Sequence, residues 1–442
     1  MFRSVLPRAA ALLVACATLV GLAAPPAAAE TASSYQPPRS PSRPTEVVII
    51  GTMHSAQLEF EEHSPARIRA LLNRIDPAAV GVETPPQWYA EDVYFEVAYE
   101  SYGVAVPWAR EKGREVRPVD WTADVLEMVD ALSWPWVEPE PAATQAEAER
   151  VSADDLLASW DVPPLLFADT SEWRDAINQT YANADASPNP YNEAMRRYML
   201  YRNLMIAREI TNMAADHEGK RVVVLIGAAH KPDLDLFLSA VPNIVVRQAS
   251  EWAGVTEAEV AAEERPVDHL AILWYNLAGS RVQPADVDLA RMDRLLAGLE
   301  KERPRDPEVR FLRARWYHVK GETARAVAIY RSLAWAEQWE DRPFTFPDRG
   351  LFQRVIDWGN ANAPWGEPVA YSLDNVFSPV AALTVRQRVL YELALQEVDP
   401  SARQRARSEL MAEPLNDRQL QQLQTLLNPP AATCPGRACR QP

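Results

Sequence analysis

Two stretches of this 442-residue chain deliver a histidine in the same way. VVIIGTMH, Val47 to His54, and VVVLIGAAH, Val222 to His230, each run through β-branched residues to a glycine, with the histidine three positions later. Each apolar run is short and rich in Val and Ile, and reads as a strand buried on both faces. Two further runs, AAVGVET and REVRPVDW, carry Glu83 and Asp120 at their ends. In a parallel sheet, ligands gather outside the carboxyl ends of the strands, so His54, Glu83, Asp120 and His230 are expected around one crevice. Gly51 and Gly227 allow a tight exit or the close approach of another chain. Two neutral imidazoles and one carboxylate suit a first-row divalent cation such as zinc, manganese, cobalt or iron. Such an ion lowers the pKa of bound water and polarises a carbonyl, as hydrolysis requires. His54, Glu83 and His230 are thus the expected metal ligands.

A helical stretch adds Arg202 and Asn203. Met195, Met199, Ile206, Ile210 and Met213 form a stripe at helical spacing, and Arg202 falls inside it. A buried guanidinium is costly unless it meets an acceptor, which Glu83, Asp120 or a substrate would supply. Facing a substrate, Arg202 would stabilise an oxyanion or clamp a carboxylate. Asn203 is expected to orient substrate. Competing assignments make Asp120 the N-cap of TADVLEMV and pair Arg202 with Glu209. His63 and His217 read as solvated, His269 and His318 as lacking carboxylate company, and Glu59, Glu61 and Glu62 as a solvated face. No G-x-S-x-G, H-E-x-x-H or P-loop signature is present.

The elements around these residues alternate between strand and helix from Glu46 to about Ser250. The expected fold is α/β, a mostly parallel sheet flanked by helices. PARIRALLNRI places Ile68, Leu71, Leu72 and Ile75 on one helical face, and Gly113 is a natural C-cap. A helical insertion over about 121–190 interrupts the rhythm. From 251 to 428 the pattern is helical. There DPEVRFLRARWYHVKGETARAVAIYRSLA resembles one tetratricopeptide repeat, with Ala314, Tyr317, Gly321, Ala326 and Tyr330 at its small and aromatic positions.

The N-terminus predicts export. Arg3 and Arg8, the apolar AAALLVACATLVGLAA and the small residues Ala27 to Ala29 follow the order of a secretory signal peptide over residues 1–29. A lipoprotein anchor at Cys16 is the weaker reading, because the chain stays apolar after it. Residues 30–45 are a Pro/Ser-rich linker. The formal charge is −16, and losing Arg3 and Arg8 makes it −18, which disfavours nucleic acid as a partner. In an oxidising compartment Cys434 and Cys439, in the tail 429–442, are expected to close a small loop.

Gly51-Thr52-Met53-His54, Gly227-Ala228-Ala229-His230, the Val-Glu-Thr at Val82 to Thr84, and Arg202-Asn203 followed by Met205 resemble the TraB/PrgY/GumN/Tiki superfamily, which is related to erythromycin esterase and to ChaN lipoproteins. The resemblance spans about Glu46 to Arg247. It implies that His54, Glu83 and His230 belong to the active site, with Arg202 in support. Tiki-like members imply a divalent-metal-dependent protease, esterase-like members a histidine general base beside a glutamate, and ChaN-like members haem or iron binding. Lys231-Pro232 and the acidic Asp233 and Asp235 depart from the more apolar residues expected after the second histidine. The leading expectation is an exported hydrolase using manganese, cobalt or zinc on a peptide. The alternatives are a metal-independent esterase acting on a small ester, a haem or iron carrier, and a scaffold that recruits a protein partner through its helical region.

Overall fold

The structure, a computed structural model, describes residues 39–121 apart from 55, 91–93 and 95–97, residues 164–336 apart from 187–189 and 279–283, residues 383–415, and single positions between and after these. The expected signal peptide, most of the linker, the helix after Asp120 and the Cys434–Cys439 pair lie outside the described residues. The chain divides into two compact units after Arg265.

The first unit is built on five parallel strands in the order β3-β2-β4-β1-β5. They are β1 (Thr45–Thr52), β2 (Ala79–Val82), β3 (Glu115–Pro118), β4 (Arg221–Gly227) and β5 (Ile244–Gln248). The expected α/β architecture is therefore the one observed. Helix α1 (Pro65–Ile75) begins where the sequence demands. Ser64 caps Arg67 N at 3.3 Å, Pro65 fills the first turn, and Asp76 ends the helix in a left-handed conformation. Its Ile68, Leu71, Leu72 and Ile75 are fully buried. A π-helical turn (Glu100–Ala105) then runs into α2 (Val106–Glu111). Helix α3 (Ser171–Ala186) lies in the expected insertion, and the long α4 (Pro190–Asp216) precedes β4. Helix α5 (Lys231–Ser239) links β4 to β5.

Both faces of the sheet are covered. Ile206, Ile210 and Met213 of α4 and Leu234 and Leu238 of α5 pack on Val47, Ile49, Val222, Val224 and Ile226. Each fully buried side chain of this size contributes about 1.5–3 kcal/mol. The alternate residues Val48, Ile50, Val223 and Leu225 are equally buried, as the twofold alternation of a doubly covered sheet requires. From β2 the chain moves outward to β3, and from β4 outward to β5 on the opposite side. The switch point falls between β2 and β4, whose carboxyl ends carry Glu83 and Gly227.

Residues 251–265 belong to the first unit, not to the helical region in which the sequence reading placed them. Helix α6 (Glu257–Ala262) lies against α1 through side chains. Arg74 binds Glu259 with two 2.8 Å hydrogen bonds, and Asn73 donates to Glu263 at 2.7 Å. Charged pairs across two helix surfaces carry no apolar periodicity, so this docking is silent in the sequence pattern.

The second unit is helical, as expected. Among the described residues its helices are α7 (Pro266–Leu277), α8 (Leu289–Glu302), α9 (Pro307–Val319), α10 (Thr323–Arg331), α11 (Val385–Gln396) and α12 (Pro400–Ala412). Helices α9 and α10 form an antiparallel pair through Gly321, whose φ of 86° needs glycine. Ala314, Ala326 and Tyr330 are buried along the pair. Arg388 donates to both oxygens of the buried Glu308, at 2.6 and 2.7 Å, and Trp274 Nε1 donates to the same carboxylate at 2.8 Å. His318, expected to lack carboxylate company, lies 3.7 Å from the buried Glu392, which Arg315 also binds at 2.7 Å. Among the described residues, no helix is long and apolar enough to cross a membrane.

Candidate active site

The two Gly-x-x-His motifs interlock at the carboxyl edge of β1 and β4. A Cβ on Gly51 would stand 2.6 Å from Ala168 Cβ and 3.0 Å from Ala228 Cα, inside the second motif. One on Gly227 would stand 2.9 Å from His54 Nε2 and 3.3 Å from Glu83 Oε2. Each glycine therefore makes room for the residues of the other motif. Past Thr52 the chain turns through His54, whose φ of 50° is left-handed and uncommon for a residue with a side chain. Such a conformation costs about 1–3 kcal/mol and persists where its surroundings hold it. Here they hold the ring. His54 Nδ1 lies 2.7 Å from Glu100 Oε1, and Nε2 lies 3.9 Å from Glu83 Oε2.

Glu100 was not anticipated. It is fully buried in the π-helical turn, where Thr52 Oγ1 donates to it at 3.1 Å and Gln57 Nε2 at 3.4 Å. Its signal in the sequence is that no other charged residue occurs between Val97 and Trp108. A lone charge in so apolar a stretch has to find a buried partner. Around His54, which is only partly exposed, the loss of surrounding water pushes the ring's pKa down. The carboxylates of Glu100 and Glu83 outweigh that and raise it to about 9.

Glu83 stands at the centre. Gly227 N donates to Oε2 at 2.6 Å, Arg202 Nη2 donates to Oε1 at 2.8 Å, and His230 Nε2 lies 3.3 Å from Oε1. Burial pushes this carboxyl up, but His230, His54 and Arg202 prevail and hold it well below the ordinary carboxylate range. Arg202 also binds Asp120 as a fork, Nε to Oδ1 and Nη2 to Oδ2, both at 2.8 Å, and its Nη1 lies 3.3 Å from His230 Nε2. The buried Asp120 further accepts from Trp121 N at 2.8 Å. Burial raises the Asp120 carboxyl and Arg202 opposes the rise.

These partners bear on three expectations. Arg202 meets Glu83 and Asp120, two of its expected acceptors, through Nε and Nη2. Asp120, expected to contact substrate, is buried and serves as the counter-ion of Arg202. Asn203 is fully buried, with Oδ1 hydrogen-bonded to His230 Nδ1 and Nδ2 donating to Asp233 Oδ2 at 2.8 Å. Expected to orient substrate, it is bonded to a histidine and a carboxylate of the fold. Elsewhere, His63, expected to be solvated, is buried near Phe60 and Phe167. His217 pairs with Glu115 at 3.0 Å at the end of α4.

The turn that carries His230 is clamped from α3. Trp173 Nε1 donates to Ala228 O at 3.0 Å and Tyr181 OH to Ala229 O at 3.3 Å. The insertion thus fixes the backbone on which the second histidine sits.

His54, Glu83 and Glu100 each offer a donor atom within 4.8 Å of the others and could hold a metal ion. This set differs in one member from the expected His54, Glu83 and His230. His230 reaches Glu83 and Arg202 but is not in the group. The residues fit a cation on two further counts. Two buried carboxyl groups, Glu83 and Asp120, share the guanidinium of Arg202, and a third, Glu100, is buried against His54. The side-chain oxygen of Gln57, buried beside Glu100, has no hydrogen-bond partner. One imidazole with two carboxylates is a donor set for a divalent first-row ion. A haem axial site would instead pair its histidine with an apolar slot. Comparison with family models, with curated proteins and with solved structures finds no match to this chain, so the reading of the site rests on its geometry.

Proposed function

We propose that the first unit is a divalent-metal-dependent hydrolase, with manganese, cobalt or zinc held by His54, Glu83 and Glu100. The observation that carries this reading is the convergence of these three donors at the switch point of the sheet. A divalent ion bound there supplies water activation and carbonyl polarisation. The chain's own groups set the geometry. Glu100 anchors the His54 ring, Gly227 N and Arg202 brace the two oxygens of Glu83, and Asp120 holds Arg202 in place. The His54 side chain is 33% exposed, against 5% for Glu83 and 0% for Glu100, so a substrate would approach over the imidazole.

A peptide is the proposed substrate and an exported location the proposed setting, on the resemblance and the N-terminal pattern described above. The metal-independent esterase is the weaker reading. The carboxylates that raise the His54 imidazole to about 9 favour its protonated form, which counts against His54 as the base and leaves His230 as the candidate for that role.

The test is metal content by plasma mass spectrometry on chain purified without chelator or affinity-tag histidines, then reloaded with manganese, cobalt or zinc. Near-stoichiometric metal, lost in folded His54→Ala and Glu100→Gln variants, is the expected result. A chain that stays empty after reloading would sink the proposal. Peptide and ester cleavage by the loaded chain then separates the substrate classes.

A further inference from the structure

The hydrogen bonds around His230 run in one direction only. Asp233 is a carboxylate at the first turn of α5, and a carboxylate only accepts. Asn203 Nδ2 donates to its Oδ2 at 2.8 Å, and Arg196 Nη1 lies 3.4 Å from the same oxygen. The amide of Asn203 is thereby oriented with its NH2 toward Asp233, so the atom facing His230 is the carbonyl Oδ1. A carbonyl oxygen cannot donate. The ring nitrogen against it, Nδ1, must carry the hydrogen.

We propose that Asp233, acting through Asn203, fixes the proton of His230 on Nδ1 and leaves Nε2 as the one ring atom at which His230 exchanges a proton or a hydrogen bond with the site. Asn203 and Asp233 are positioning residues; neither touches the donor group of His54, Glu83 and Glu100. Nε2 lies 3.3 Å from both a donor, Arg202 Nη1, and an acceptor, Glu83 Oε1, so it is through this atom that the ring meets the centre of the site. The same chain accounts for the acidic residue after the second histidine, where the resemblance implied apolar ones. It also explains why Arg202 and Asn203 are adjacent on α4. One binds the carboxylates of the site, and the other orients the histidine beside them. Tyr181 stacks on Arg196 with 3.9 Å from guanidinium carbon to ring centroid, and closes this network from α3.

The inference extends the hydrolase reading but does not need the metal. It is tested on the full chain, metal-free, with 15N-labelled histidine. Long-range proton–nitrogen correlation across a pH titration reads the tautomer on the neutral limb of His230. The expected result is the Nδ1–H form in excess by about tenfold, the ratio that a hydrogen bond of about 1.4 kcal/mol gives. Asn203→Leu and Asp233→Leu should bring the two tautomers within about threefold of each other, since a lost bond of about 1 kcal/mol is a factor of about five. A dominant Nε2–H form in the parent chain would overturn the inference even if the leucine variants do not fold. So would folded leucine variants with an unchanged ratio. Failure to retain metal would count against the hydrolase reading and leave the tautomer result standing.

Discussion

Arg202→Met tests the electrostatic frame of the site. The guanidinium donates at 2.8 Å to Glu83 and twice to Asp120, and lies 3.3 Å from His230 Nε2. Methionine keeps the apolar stem and removes every one of these bonds. Glu83 then retains Gly227 N, and Asp120 retains Trp121 N. Leaving one side of a buried ion pair uncompensated costs about 3–5 kcal/mol. Summing the lost bonds at about 1.5–3 kcal/mol each would give more, but they share one head group and are not additive. We expect about 3–5 kcal/mol near pH 8. The penalty should shrink toward acid. Burial already raises the Asp120 carboxyl, and without Arg202 it rises further, so protonation relieves the unpaired charge. Native-state hydrogen exchange at the amides of Val80 to Val82 and Val223 to Leu225 reads the loss in the first unit alone. A change below about 1 kcal/mol, or one that is the same at pH 5 and pH 8, would refute the argument that these carboxylates depend on Arg202.

Three further outcomes are expected. Gly227→Ala, whose φ of −52° strains no backbone, should cost about 1–3 kcal/mol by overpacking and weaken metal retention, because its Cβ meets His54 and Glu83; calorimetric melting with and without metal measures both. Gly51→Ala should cost at least as much stability through its 2.6 Å clash with Ala168 and disturb the donor atoms less, so a larger metal defect in Gly51→Ala than in Gly227→Ala would contradict the assignment. In the metal-free chain, His54 should titrate near pH 9 by proton–nitrogen NMR. Its folded pKa lies above the ordinary 6.5, so its stabilisation is complete below about pH 6.5 and is lost as the pH rises through about 9. Metal competes with that proton, and affinity should climb with pH up to the same value.

How far the sequence revealed the site depended on the kind of signal each residue leaves. Strands β1 and β4 were legible because four or five consecutive apolar residues bounded by polar ones have few other homes. Helix α1 was legible from its face of Ile68, Leu71, Leu72 and Ile75. The partners of Arg202 followed from the cost of an unpaired guanidinium, which left Glu83 and Asp120 as acceptors. Glu100 escaped because a π-helical turn shifts the face on which its residues lie, and regular helical spacing does not show which of them turns inward. The bonds that join Asn203 to Asp233 and to His230 escaped for a different reason. A hydrogen bond between α4 and α5 is set by rotamers and by the distance between helices, and neither has a period.

The central pair of strands carries a consequence for how the protein is made. Glu46 of β1 lies opposite Arg221 of β4 in the parallel register, and the two are 175 residues apart in the chain. Contacts so distant in sequence reward the chain only after a large loop has closed, which makes them slow to form. During synthesis His54 and Glu83 emerge long before Gly227 and His230, and the interlocking of the two glycines cannot begin until β4 arrives. The cluster around Glu83 therefore has no precursor. A chain cut anywhere before β4 holds ligands on a sheet that lacks its middle strand, and activity, if acquired, comes all at once with the closing of that one strand pair.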